Sequence, residues 1–327
     1  MKHHRIAVFG GSGFVGSHVV AQLVARGRQV TVVTRRRQRA RHLILLPTVE
    51  VIEADPMDPI QRAALLSGQD AVINLVGVLH SDRGSPYGRA FAKAHVELPR
   101  ALAQGCLESG VGRLLHVSAL GASETAPSMY LRSKADGERA VLDCKGLRAT
   151  VFRPSVVFGE DDQFLNLFAS LQRFLPVLPL AGANARFQPV YVSDLAHAMV
   201  EGLDAPESTG KTYEIAGPRI YTLRELVRIA GLASGHPRPI IALPESLGRL
   251  QATLMEWMPG PPLMSRDNLD SMREDNIASG LLPGIDAPEL VGPQGWRQTP
   301  IEQMAIDHLG SAHVRTRLDI FRSRAHR

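Results

Sequence analysis

Two cysteines, Cys106 and Cys144, are all that 327 residues contain, and neither has a second thiol or a histidine at metal-ligand spacing. A disulfide-stapled fold and a cysteine-based metal centre are thereby excluded, and both thiols read as reduced bystanders. Also missing is any apolar run of about eighteen residues, so no helix is expected to cross a membrane. MKHHRIAVFG enters its first apolar run at once, which leaves no stretch for a signal peptide, and the expected location is the cytoplasm. Positive charge is present but unevenly spread. The net charge is +5, yet Arg35, Arg36, Arg37, Arg39 and Arg41 stand together without an acid, and residues 315–327 hold five arginines against Asp319. The rest of the chain is therefore acidic by about four charges, and a general nucleic-acid face is excluded. An apolar content of 44% and a charged content of 21% describe a globular chain, long enough for one α/β core and a smaller lobe.

What is there is organised around residues 6–16, IAVFGGSGFVG. The run Ile6, Ala7, Val8, Phe9 suits a buried parallel strand, and Val19, Val20, Leu23 and Val24 then share one helical face. Between them Gly10, Gly13 and Gly16 are spaced for a tight turn, a close approach of backbone to a pyrophosphate, and a helix packed hard on its strand. Gly10, Ser12, Gly13, Phe14, Val15 and Gly16 are thus expected to line a dinucleotide. Residues 29–34 (QVTVVT) read as the second strand, and the acid that would hold an NAD ribose is missing from its end. Thr34 and Arg35 stand there instead, and a guanidinium suits a 2′-phosphate, so NADP(H) is expected over NAD(H), with Arg35 as its ligand.

A third strand over 49–54 leads to Asp55, expected at the adenine edge, while Asp58 before Pro59 reads as a helix cap. A fourth over 70–76 would set Asn74 and Gly77 along the ribose and pyrophosphate. A helix over 88–109 returns to a fifth strand ending at Ser118. Strands alternating with helices through short joins define an α/β chain, a Rossmann-type doubly wound parallel sheet.

Tyr130 and Lys134, in YLRSKADGE, lie four apart on one helical face. With five tyrosines and five lysines, chance supplies only about 0.08 such pairs. A lysine beside a phenol would stabilise phenolate and hold ribose hydroxyls, while the tyrosine exchanges a proton with a substrate carbonyl. After a sixth strand over 147–153, Pro154 and Ser155 are expected to face the nicotinamide. Asp161 and Asp162 lack a third ligand, so a helix start is expected rather than a metal site. Asp194 reads as the cap of its own helix, residues 211–216 as one more strand, and Thr222 with Glu225 as a capping box. Leu247, Leu250, Leu254 and Trp257, with Met255 and Met258, form a stripe expected in the core. The expected domains are 1–155 for NADP(H), 156–309 as a substrate lobe returning one or two elements to the sheet, and 310–327 as a basic amphipathic tail. The tail's Val314, Leu318 and Phe321 with its arginines suit anionic headgroups, an acidic partner, or a solvated extension.

The glycine turn and the Tyr-x-x-x-Lys pair resemble the extended and atypical short-chain dehydrogenase/reductase superfamily. More narrowly, YLRSKADGE, RPSVVFGEDDQFLNLFA and QPVYVSDL resemble the NADPH-binding accessory subunits of respiratory complex I, the alpha-subcomplex subunit 9 family, and their bacterial relatives. The resemblance implies a respiratory or ubiquinone context, a lipophilic partner such as a quinone, and Tyr130, Lys134 and Ser118 as the catalytic group. It also implies either an oxidoreductase or a non-catalytic NADPH-holding component of a quinone-handling membrane complex, peripheral on the inner face of the cytoplasmic membrane. An epimerase is disfavoured by Arg35. One position departs from the pattern: the catalytic Ser or Thr expected two residues past Ser118 is Leu120, and Ser123 is the nearest substitute.

Overall fold

The structure, a computed structural model, describes residues 3–257, 262–293 and 295–309, so the tail lies outside the described residues. The first half alternates strands and helices: β1 (Arg5–Phe9), α1 (Phe14–Ala25), β2 (Gln29–Thr34), a 3-10 turn, β3 (Val49–Glu53), α2 (Pro59–Leu66) and β4 (Ala71–Asn74). Next come α3 (Arg89–Phe91), a π-helical stretch over Ala92–Glu97, α4 (Leu98–Glu108), β5 (Arg113–Val117), α5 (Met129–Leu142) and β6 (Arg148–Pro154). The second half runs β7 (Val157–Phe158), α6 (Gln163–Phe174), β8 (Leu178–Leu180), β9 (Arg186–Phe187), β10 (Val190–Tyr191) and α7 (Val192–Asp204). It continues through β11 (Thr212–Ile215), β12 (Tyr221–Thr222), α8 (Leu223–Ala233), β13 (Ile240–Ala242), α9 (Glu245–Trp257), α10 (Arg266–Ser271), α11 (Pro288–Val291) and α12 (Ile301–Leu309).

Seven strands form one sheet in the order β11-β6-β5-β4-β1-β2-β3, and every pairing in it is parallel. Such a sheet is covered on both faces, which is why β4 is buried throughout and β1 from its second residue onward. One face packs α1, α7 and residues around 285–290; the other packs α2, α4 and Val141 of α5. The order reverses between β1 and β4, and ligands of doubly wound sheets bind at the carboxyl ends of the strands at that point. The second half contributes β11 and α7 to this body, while α6, α8 and α12 enclose a separate apolar cluster.

Local chemistry explains several starts. Asp58 Oδ1 accepts from the backbone N of Ile60 and Gln61 at 2.8 and 3.2 Å, with Pro59 opening α2, and Thr222 with Glu225 closes a reciprocal box on α8. Asp162 caps α6 through Leu165 N at 2.6 Å. The helix over 89–108 is widened in its middle because Pro99 has no N–H for the carbonyl of His95, four residues back. There α5 packs in at Gly137, where a Cβ would stand 1.9 Å from that carbonyl.

Two expectations are overturned. Asp194 does not cap α7: buried in the first turn, it accepts from Trp296 Nε1 at 3.1 Å, Thr299 N at 2.6 Å and Thr299 Oγ1 at 3.1 Å, with the Trp296 ring stacked on His197. An aspartate at this position serves either role, and only the fold brings residues 296–299 to it. Replacing Asp194 with Ala strands three donors, so urea unfolding is expected to show a loss of about 2–4 kcal/mol. The apolar stripe of α9 is likewise not core. Leu247, Leu250, Leu254 and Trp257 are 50–78% exposed, and the inward face is Gly248 and Ala252. A Cβ on Gly248 would stand 2.7 Å from that of Ala181, so the helix lies too close to the body for larger side chains. No described helix is long and apolar enough to cross a membrane.

Candidate active site

The glycine turn joins β1 to α1 at the reversal point. Gly10 has φ +82°, and a Cβ there would stand 2.9 Å from the Leu75 carbonyl carbon beyond β4. At Gly16 a Cβ would lie 2.2 Å from the Gly10 carbonyl oxygen, so only glycine lets α1 start this close to the turn. Gly13 is the helix N-cap and lends no side chain to the free N–H groups behind it. Ser12, Phe14 and Val15 are partly exposed around this end, which fits an anionic diphosphate. Arg35 follows the buried Thr34, whose hydroxyl is engaged with Arg36; Arg35, Arg36, Arg37, Arg39 and Arg41 are exposed and have no ion-pair partner among the described residues. Asp55 is exposed after β3, with Oδ1 turned onto Met57 N at 3.0 Å.

Asn74 does not face the cleft. It is 1% exposed, accepts from Val76 N at 3.2 Å and donates to His116 Nδ1 at 3.1 Å, so it shapes the β4 end rather than touching a ribose. His116 Nε2 then carries the hydrogen and finds no partner, and burial pushes its pKa down to about 3, with Lys134 adding to the effect. Gly77 leaves space for Lys134: a Cβ there would be 3.4 Å from Nζ and 3.7 Å from His95 Nε2.

Ser128 caps α5 through Leu131 N at 3.2 Å, and the helix carries Tyr130 and Lys134 along one face. Lys134 Nζ donates to the Val117 carbonyl at 3.2 Å and stands 5.9 Å from the Tyr130 ring centre. An ammonium has three donors, so two remain for ribose hydroxyls. Burial pushes Lys134 down to about 8, opposed by Glu138, and pushes the Tyr130 phenol up to about 12. The expected phenolate-stabilising contact is thus not made in this state, because Nζ is drawn toward β5. The phenol ring is framed edge-on by Phe91 at 5.9 Å and His95 at 5.4 Å.

His95 was not legible as a site residue. Its Nε2 accepts from Val78 N at 3.0 Å, so Nδ1 carries the hydrogen and donates to Ser133 Oγ at 2.8 Å, which donates to the Tyr130 carbonyl at 2.7 Å. Burial, reinforced by Lys134 and His116, pushes its pKa down to about 2, and a permanently neutral imidazole ties the 77–78 loop to the Tyr130 turn.

Ser118 is 2% exposed and its hydroxyl has no partner among the described residues; Leu120 is buried, donating its backbone N to the Pro154 carbonyl at 3.0 Å. Ser123 is exposed and bonded within its own turn to Thr125. Pro154 ends β6 beside Ile215, but Ser155 turns away from the cleft: its hydroxyl bonds the Asn276 carbonyl and side chain at 3.1 and 2.6 Å. Asn276 also accepts from Val156 N at 3.0 Å, holding the crossing between the two halves. No group of three metal-ligating side chains occurs among the described residues.

A doubly wound parallel sheet, a glycine turn at its reversal point and a Tyr-Lys helix beside it define a class, and the chain belongs to the NAD dependent epimerase/dehydratase family, whose profile matches residues 6–216. Within it the chain groups with the alpha subcomplex subunit 9 proteins. The Arabidopsis thaliana "NADH dehydrogenase [ubiquinone] 1 alpha subcomplex subunit 9, mitochondrial" is 35% identical over 83% of this chain and 70% of its own. The "Ceramide reductase" of Caulobacter vibrioides is 29% identical over 73% of this chain and 74% of its own. Among solved structures, the dTDP-glucose 4,6-dehydratase DesIV of Streptomyces venezuelae, with NAD and TYD bound, superposes with a TM-score of 0.62 at 25% identity, covering 74% of this chain and 85% of that one.

Proposed function

We propose that the chain binds NADP(H) in preference to NAD(H) and reduces a carbonyl or quinone-related group of a lipophilic compound. The observation that carries this reading is the convergence at neighbouring strand ends of a side-chain-free turn, a lysine with donors to spare and a phenol in an aromatic frame. When bound, the nicotinamide supplies hydride to the carbonyl carbon. Tyr130 Oη delivers the proton to the carbonyl oxygen, and Lys134 holds the ribose hydroxyls. The lipophilic substrate class is supported by the outward apolar face of α9, tied through Glu256 and Arg266 to the segment beside Tyr130, and by the name of the Caulobacter vibrioides relative.

Arg35 supplies the test of cofactor choice. Arg35→Asp is expected to weaken NADPH binding about tenfold to a hundredfold, the worth of a charge-assisted phosphate contact, while NADH binding changes little. Titrations with both nucleotides check it, and equal losses for the two refute the assignment.

A second reading is favoured by Leu120 and the partnerless Ser118. With no serine or threonine hydroxyl to assist Tyr130, the chain would hold NADPH without turnover, as a component of a quinone-handling respiratory complex reached peripherally through residues 310–327. The names of the subunit 9 relatives support that context.

A further inference from the structure

The first turn of α5 is held from far along the chain. Asp267, in the opening turn of α10, accepts from Met129 N through Oδ1 at 2.7 Å and from Tyr130 N through Oδ2 at 3.1 Å. Ser128 already satisfies Leu131 N, so all three leading N–H groups of the helix are engaged, two of them by a side chain 137 and 138 residues away. Water at an open helix end serves such groups well. Here a buried carboxylate has been brought instead, and α10 is built to present it. Ser265 and Asn268 close a capping box on α10, and Arg266 bonds Glu256 of α9 through its backbone N at 2.7 Å and Nε at 2.8 Å.

We propose that Asp267 is a positioning residue for Tyr130: by gripping the two leading N–H groups of α5 it sets the pose of the phenol, so that α10 and the Tyr130 site act as one unit. Burial raises the pKa of Asp267 more than its two backbone hydrogen bonds lower it, with Asp270 adding to the rise and Arg132 opposing it. A group whose pKa is raised on folding favours the fold most when protonated, and that contribution declines as pH rises through the folded value. The ionised form, which grips two N–H donors best, is therefore desolvated at a cost. The charged or titratable neighbours of the pair are Asp270 on α10, Arg132 and Lys134 on α5, His95 on the widened helix and His80 in the 77–88 loop.

The test uses the full chain labelled with 3-fluorotyrosine, with the Tyr130 fluorine resonance assigned by its loss in Tyr130→Phe. Asn at 267 accepts one N–H and turns an NH2 toward the other, so in Asp267→Asn the Tyr130 resonance is expected to move. Its titration midpoint should fall, since a shifted ring admits water and relieves the burial that holds the phenol up. Met129→Pro removes one of the two donors where proline is compatible with a helix start, Ser128 already being extended. It should move the same resonance the same way by less, and it carries the test alone if Asp267→Asn does not fold. The other four tyrosine resonances should stay in place. An unmoved Tyr130 resonance and midpoint overturn the proposal, as does a shift of all five. The turnover arm rests on the proposed reductase reading: kcat for a carbonyl acceptor should fall about tenfold with KM for NADPH unchanged. A wild type without turnover removes that reading, and the fluorine signal still decides the role of Asp267.

Discussion

Gly16→Ala is expected to abolish measurable nucleotide binding, with affinity for NADPH down at least about a hundredfold, roughly 2.7 kcal/mol. The added methyl would lie 2.2 Å from the Gly10 carbonyl oxygen, 2.6 Å from Gly11 Cα and 2.8 Å from the Gly11 carbonyl carbon. All three are backbone atoms of the turn itself, so the strain can be relieved only by moving α1 away from β1. That movement takes the helix N-terminus out of reach of a diphosphate, and overpacking of this kind costs about 1–3 kcal/mol of stability as well. Gly13→Ala separates the two effects. Its Cβ would meet Gly10 O at 3.3 Å with φ at −84°, a backbone any residue adopts, so the fold should persist while the methyl projects where the ligand approaches. Calorimetric titration with a parallel thermal melt reads both. Wild-type affinity in folded Gly16→Ala would place the dinucleotide elsewhere.

The second large effect concerns chemistry. Tyr130→Phe removes one oxygen from a ring whose frame, Phe91 and His95, is unaltered, so the cofactor affinity should stay within about twofold while kcat falls about 10²–10⁴-fold, the usual worth of a positioned proton donor. Stopped-flow oxidation of NADPH by a quinone or an acyl carbonyl compound gives the rate. A phenol held up at about 12 stays protonated between pH 6 and 9, whereas Lys134, pushed down to about 8 by burial, gives up its ammonium within that window, so the reductive rate should decline as pH rises through about 8. Equal rates for wild type and Tyr130→Phe would remove the phenol from the reaction. Tightly held NADPH that no acceptor oxidises would instead favour the second reading, in which Leu120 leaves the proton relay without its hydroxyl.

How much of this was legible follows the reach of each interaction. The glycine turn, the caps at Asp58, Asp162 and Thr222, and the strand series are decided within a few residues, and each reads directly from spacing. Three differences between sequence pattern and structure share one cause. The positions of Asn74, Ser155 and Asp194 along a strand or helix fit a cleft or a local cap. Each is in fact engaged by a group far off in sequence: His116, Asn276, and the Trp296–Thr299 segment. The α9 stripe failed differently. Periodicity reveals that a helix has an apolar face, but the choice of which face turns inward was made by Gly248 and Ala252, whose small size lets the helix lie against Ala181.

From its order of residues alone, then, this chain declares a parallel α/β sheet, a diphosphate-sized turn free of side chains, and a tyrosine and lysine one helical turn apart, because each depends on neighbours within a few positions. Tertiary structure alone decided that Asp267 grips the start of the Tyr130 helix, that His95 links that helix to the β4 loop, and that Lys134 points toward β5. Those contacts join segments 17 to 138 residues apart, and their energy comes from burial and hydrogen bonds that exist only once the layers have packed.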